Sequence, residues 1–169
     1  YRDGAVKSKK DQNETVHAYT YDRLGRQLHD AVTQLGAGVD GQVRRISRTY
    51  NSRGLVERIL SLPKACVPCG EVLNEVRISY NDVGLPVREY QSHDGPMDTW
   101  TTPYVGYGYD ETTEGCELIA GLRATSLTYP NGRVLHYDYA AGDDDALNRI
   151  TSYFDNDGAT ELLRYARLG

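Results

Sequence analysis

A tyrosine followed at once by a turn recurs along this chain, and that recurrence limits the fold more than anything else in the sequence. Tyr21-Asp22-Arg23-Leu24-Gly25-Arg26 is the fullest copy, and Tyr50-Asn51-Ser52-Arg53-Gly54-Leu55 and Tyr80-Asn81-Asp82-Val83-Gly84-Leu85 follow at steps of about thirty residues. Weaker copies stand at Tyr129-Pro130-Asn131-Gly132-Arg133 and Tyr153-Phe154-Asp155-Asn156-Asp157-Gly158. Self-similarity at a fixed period is the signature of a repeat architecture, in which each unit buries its apolar surface only against its neighbours.

The residues around each turn read as strands. His17, Tyr19 and Tyr21 alternate with Val16, Ala18 and Thr20; Val76, Ile78 and Tyr80 alternate with Arg77 and Ser79. Thr125, Leu127 and Tyr129 precede the fourth turn, and Leu135, Tyr137 and Tyr139 follow it. Alternation rich in Val, Ile, Thr and Tyr marks half-buried strands. Asp or Asn after the tyrosine bonds its own backbone two residues on. The glycine three residues later supplies a positive φ without steric cost. Asn131-Gly132 carries the pair favoured in type I′ hairpin turns. Each unit is therefore expected to be strand, tight turn, strand, in an all-β fold of repeated hairpins forming a coiled, strongly twisted antiparallel sheet.

One segment competes with this reading. Leu28, Ala31, Val32 and Leu35 have helical spacing, with Gly36 placed to cap them. We read Arg26 to Asp30 as a return strand and keep a short helix as the alternative. The expected division is a single repeat region over 1–169, a fragment of a larger protein, with units near 1–41, 42–70, 71–103, 104–142 and 143–169. The irregular composition falls between hairpins: Gly36 to Gly41, Pro63 to Gly70, Ser92 to Pro103, and Ala140 to Asp145.

Composition agrees with a sheet that is wet on one side. There are 14 tyrosines but a single Phe, Trp and Met. A thick apolar core draws on Phe, Met, Leu and Ile together, whereas tyrosine brings a hydroxyl that needs a partner or water. The net charge of −5, with acids and bases interspersed, gives no basic stripe for nucleic acid. No apolar run approaches the ~18 residues of a membrane-spanning helix.

The residues Ala18-Tyr19-Thr20-Tyr21-Asp22-Arg23-Leu24-Gly25-Arg26 resemble the Y-x-Y-D-x-x-G-R core of the Rhs family, also called YD repeats. Leu147-Asn148-Arg149-Ile150-Thr151 resembles the G-R-I/L-T part of that repeat, with Asn148 where glycine usually sits. The resemblance implies long coiled sheets of successive hairpins. Such sheets spiral into hollow shells in the C components of insecticidal toxin complexes and in bacterial Rhs toxins, and form a similar barrel in teneurins. It implies a secreted or cell-surface scaffold, whose partners are neighbouring repeats of the same polypeptide. Carbohydrate binding and enclosure of a C-terminal cargo domain are the further associations of the family. Its self-processing site lies around a D-P-x-G-x motif; no Asp-Pro pair occurs here, so no catalytic residue is carried over.

The resemblance gives Tyr19, Tyr21, Asp22, Gly25, Arg26, Tyr50, Asn51, Gly54, Tyr80, Asn81, Gly84, Tyr129, Asn131, Gly132, Arg133, Asp155 and Gly158 structural roles as repeat-motif residues. Cys66-Val67-Pro68-Cys69 leaves several readings open: plain loop cysteines, a local disulfide, a redox pair, or half of a metal site with Cys116 and His93 or His136. The Asp155-Asn156-Asp157-Gly158 run fails the EF-hand pattern, because Tyr153 and Arg164 fall where ligands are needed. A looser surface calcium site remains an alternative, because two acidic loops, Asp143-Asp144-Asp145 and Asp155-Asn156-Asp157-Gly158, flank one predicted strand. No nucleophile elbow, phosphate loop or zinc-protease motif is present, so neither catalysis nor a cofactor is expected. Trp100, alone in an irregular loop, is the candidate ligand contact, a platform on which a sugar face would stack.

Overall fold

The structure, a computed structural model, describes residues 4–110 and 123–166. It holds twelve strands: β1 (Ser8–Lys10), β2 (Val16–Tyr21), β3 (Gln27–Gln34), β4 (Arg45–Tyr50), β5 (Val56–Leu62), β6 (Asn74–Tyr80), β7 (Pro86–Ser92), β8 (Tyr104–Tyr109), β9 (Ala124–Thr128), β10 (Val134–Asp138), β11 (Ser152–Phe154) and β12 (Glu161–Arg164). The one helix among the described residues, α1 (Asp143–Ala146), is a single turn within the small acidic loop. Among the described residues, strand order follows chain order from β1 to β12 in one antiparallel sheet, with β1 and β12 its outermost strands. The fold is all-β, as the hairpin periodicity predicts.

The chain divides into two compact units, Tyr1–Ile78 with Tyr90–Thr102, and Ser79–Glu89 with Pro103–Gly169. In the first unit, pairing sets which side chains share a face, because cross-strand partners project to the same side. Ala31, Arg45 and Leu62 align in one row. His29, Ser47, Leu60 and Glu75 align in the next. That face is the buried one, and it is mostly polar: Arg45, Ser47 and Glu75 are buried beside Ala31 and Leu62. The opposite face carries Tyr19, Asp30, Ile46 and Ser61.

The competing helix over Leu28 to Leu35 does not form. The residues continue as β3 through Gln34, longer than the expected return strand. Its helical spacing has a local cause. Thr20 pairs with His29 and Tyr21 with Gln27, which leaves Leu28 as an extra, bulged residue. The same shift between Thr49 and Tyr50 leaves Glu57 bulged in β5. A bulge breaks the two-residue alternation and adds right-handed twist.

In the second unit, β9 ends at Thr128, so Tyr129 enters the turn rather than the strand, and Tyr139 follows the end of β10. Tyr137 and Tyr153 face each other across β10 and β11. Their rings meet edge-on with centroids 5.3 Å apart, and Tyr153 meets Tyr165 similarly at 6.0 Å. Aromatic pairs of this geometry stabilise neighbouring strands beyond their buried area.

Candidate functional site

The motif residues form one device, repeated. In the first turn the Gly25 amide donates to the Asp22 carbonyl at 3.1 Å, and the Asp22 amide to the Arg26 carbonyl at 2.9 Å. Gly25 stands at φ 77°. This is a type I turn closed by a left-handed residue, the common three-residue hairpin loop. The Asp22 carboxylate accepts from the amides of Leu24 and Arg26, both at 2.9 Å, and from Arg26 Nε at 2.7 Å. Burial pushes that carboxyl up, but the Arg26 and Leu24 bonds outweigh it and hold it below the usual range. Asn51 and Asn81 rebuild the turn with an amide oxygen in place of the carboxylate. Gly54 and Gly84 stand at φ 84° and 93°.

The fourth copy uses the same turn in a shifted frame. The Gly132 amide donates to the Tyr129 carbonyl and the Tyr129 amide to the Arg133 carbonyl, so Tyr129 occupies the place that Asp22 holds in the first copy. Asn131 is not at positive φ, so the Asn131-Gly132 pair does not make the expected type I′ turn. Pro130 explains this: its ring fixes φ near −65° at the first central position, which suits type I and excludes type I′. In the fifth copy Asp155 takes the acid position and Gly158 stands at φ 67°, with a loop one residue longer that closes on Thr160. Phe154, not Tyr153, precedes that acid.

The tyrosines before the turns fasten one hairpin to the previous one. The Tyr50 hydroxyl donates to the Gln27 carbonyl at 2.8 Å, Tyr109 to Pro86 at 2.9 Å, and Tyr139 to Ala124 at 2.7 Å. Each acceptor is the first residue of the preceding return strand, directly after the residue that closes the turn. The Arg26 guanidinium covers the Tyr50 ring at 4.4 Å, and Arg123 covers Tyr139 at 4.5 Å. A cation over an aromatic face adds roughly 0.5–1 kcal/mol at exposed sites. The Asp110 amide donates to the Arg123 carbonyl at 2.9 Å, as the Asp22 amide does to Arg26, at the end of the β8–β9 pairing. The Arg133 guanidinium reaches forward to Asp155 at 2.8 Å, and Asn156 accepts from the Val134 amide at 3.0 Å. Between these two turns lies a shallow groove of about 430 Å³.

Two buried polar clusters in the first unit had no signal in the sequence. Glu75 is fully buried, with Arg58 bound bidentately at 2.7 and 3.0 Å, Arg77 at 3.4 Å, and the Met97 amide donating at 3.0 Å. Burial pushes its carboxyl up, but Arg58, the Met97 amide and Arg77 outweigh that and hold it below the ordinary range. Glu75 thereby pins the loop that carries Trp100. The second cluster joins His29, Ser47 and Arg45. Ser47 Oγ lies 2.9 Å from His29 Nδ1 and accepts from Arg45 Nε at 3.0 Å. Desolvation and the Arg45 charge keep the His29 imidazole below its ordinary pKa. The serine is buried, with the Arg45 guanidinium donating to its oxygen.

Cys66 and Cys69 are joined in a disulfide, so both sulfurs of the candidate metal pair are bonded to each other. Cys116, the proposed third ligand, lies outside the described residues. Among the described residues no group of three metal-ligating side chains comes together. In the acidic loop, Asp144 meets Arg149 at 2.9 Å and Asp145 meets Arg123 at 2.5 Å, so two of its three carboxylates are paired with arginines. Trp100 is 93% exposed, at the tip of a loop closed by Asp98 and Thr102. No helix among the described residues is long and apolar enough to cross a membrane, which says nothing of β-barrels.

No protein-family model and no curated protein sequence matches the chain. Among solved structures, it is similar to a chain of the Photorhabdus luminescens Tc holotoxin pore, with a TM-score of 0.52 at 13% identity. The similarity covers 94% of this chain and 9% of that one, so the two share a fold over a small part of a much larger protein.

Proposed function

We propose that this chain is a structural segment of a repeat-built β-shell, in which successive hairpins serve as wall rather than as a reactive or ligand-binding surface. The observation that carries this reading is the hydroxyl-to-carbonyl fastening by Tyr50, Tyr109 and Tyr139. Those side chains, the ones most suited to recognition, are spent on holding each hairpin to the one before it. The fold shared with a piece of the Tc holotoxin pore supports the same reading. The chain's partners are then further hairpins pairing along β1 and β12, the outermost strands of the sheet. The setting is a secreted or surface protein, and enclosure of a C-terminal cargo is the extended form of the proposal. Electron microscopy of the full-length protein tests it. Hairpins continuing the sheet past β1 and β12 are expected; a protein in which both strands remain free edges contradicts it.

One observation favours a second reading, a carbohydrate-binding surface: the bare indole of Trp100. A glycan array separates the two. No binding is expected of a wall segment, and binding that disappears in Trp100→Ala replaces the scaffold reading.

A further inference from the structure

We propose that the Cys66–Cys69 disulfide is a redox-sensitive clasp that keeps the loop after β5 closed over the buried cation of Arg45. This goes beyond the scaffold reading and does not depend on it.

Arg45 is only 5% exposed, yet among the described residues no carboxylate pairs with it. Its guanidinium donates through Nε to Ser47 Oγ and through Nη2 to the Cys69 carbonyl at 3.2 Å, while Nη1 has no partner. A buried charge held by neutral acceptors is costly, and it stays buried only while those acceptors are in place. One of the two sits on the disulfide-bonded residue. The disulfide therefore decides whether the Arg45 cover is fixed.

The bond suits reversal. Cys66 and Val67 are exposed, so a thiol has access from solvent. The cysteines are three residues apart, and the stabilisation a cross-link gives the whole fold shrinks with the ring it closes. Reduction should then act on the loop and leave the sheet standing. The co-reactant is a dithiol. Its thiolate attacks the Cys66 sulfur, the Cys66–Cys69 bond breaks, and Cys69 leaves as a thiolate. The second thiol of the reagent then displaces Cys66. The protein gains two thiols and the reagent becomes a disulfide, so two electrons and two protons balance. The departing thiolate forms on the residue whose carbonyl accepts from Arg45, so release of the Cys69 side chain loosens the segment that carries that acceptor.

The test uses the full chain in a Cys116→Ser background, with dithiothreitol as the dithiol and phenylglyoxal as an arginine-selective label read by peptide mass spectrometry. Reduction is expected to raise Arg45 labelling about tenfold, the factor that ~1.4 kcal/mol of lost protection gives. Arg48 and Arg58 labelling should stay constant, and oxidised glutathione should restore the protection. A Cys66→Ser/Cys69→Ser variant should label at the high rate with or without dithiothreitol. Alkylation of both cysteines with Arg45 still protected overturns the clasp. So does a rise that spreads equally to Arg48 and Arg58, because that would be unfolding of the sheet.

Discussion

Replacing Glu75 with glutamine tests how much a polar core can matter in a sheet of this kind. The substitution keeps size and shape, removes the charge, and puts an amide group among donors. Two arginines, Arg58 at 2.7 Å and Arg77 at 3.4 Å, then face a neutral side chain. Removing one partner of a buried ion pair typically costs about 3–5 kcal/mol. Here Arg58 and Arg77 are 32% and 35% exposed, so water takes up part of the uncovered charge, and about 3 kcal/mol is the expected loss. For a protein of this size that corresponds to roughly 6–12 °C in Tm. Urea denaturation gives the free energy. Hydrogen exchange at the Met97 amide gives the local consequence, since that amide donates to Glu75 Oε2. A loss below about 1 kcal/mol, with Met97 protection unchanged, refutes the view that this carboxylate organises the first unit.

Gly54→Ala places a Cβ on a residue at φ 84° and 3.2 Å from Arg26 Nη1, so a loss of about 1–2 kcal/mol is expected, read by chemical denaturation; a neutral result contradicts the turn assignment. The pH dependence follows from His29, whose folded pKa lies below its ordinary 6.5. Below that pH the unfolded chain takes up the proton and the folded chain resists it, so stability falls as pH drops from about 6.5 through the lowered value. His29→Gln should flatten that part of the stability curve, and parallel curves for the two proteins would contradict the burial argument. Trp100→Ala should change stability by no more than about 0.5 kcal/mol, as expected for an exposed side chain; a larger loss would mean that the indole packs in solution.

What the sequence made legible was the local chemistry. Asp22, Asn51 and Asn81 bond backbone amides within four residues, and Gly25, Gly54 and Gly84 hold positive φ at their own positions, so each unit carries its own instructions. The fourth turn was misread where two local signals disagreed: Asn131-Gly132 favours one turn type, but Pro130 fixes the backbone of another. The helical spacing over Leu28 to Leu35 arose from the bulge at Leu28, which breaks the two-residue alternation and which periodicity does not separate from a helix. Long-range pairings left no trace. Glu75 meets Arg58 across 17 positions and Met97 across 22, and nothing in a run of alternating strand residues marks one glutamate as buried. The Tyr50, Tyr109 and Tyr139 bonds lie between. Tyr50 stands in a visible motif copy, whereas Tyr109 and Tyr139 do not, and the acceptor at the start of the preceding return strand is apparent only once register is known.

The central claim is that Tyr50, Tyr109 and Tyr139 each fasten a hairpin to the one before it. A triple variant, Tyr50→Phe, Tyr109→Phe and Tyr139→Phe, keeps every ring and removes only the hydroxyls. Each bond spans 15 or 23 positions to a partly buried carbonyl, and its removal is expected to cost about 1 kcal/mol. With no partner shared among the three bonds the effects add, so a loss of about 3 kcal/mol is expected by urea denaturation of the variant against the parent chain. A triple variant as stable as its parent contradicts the claim.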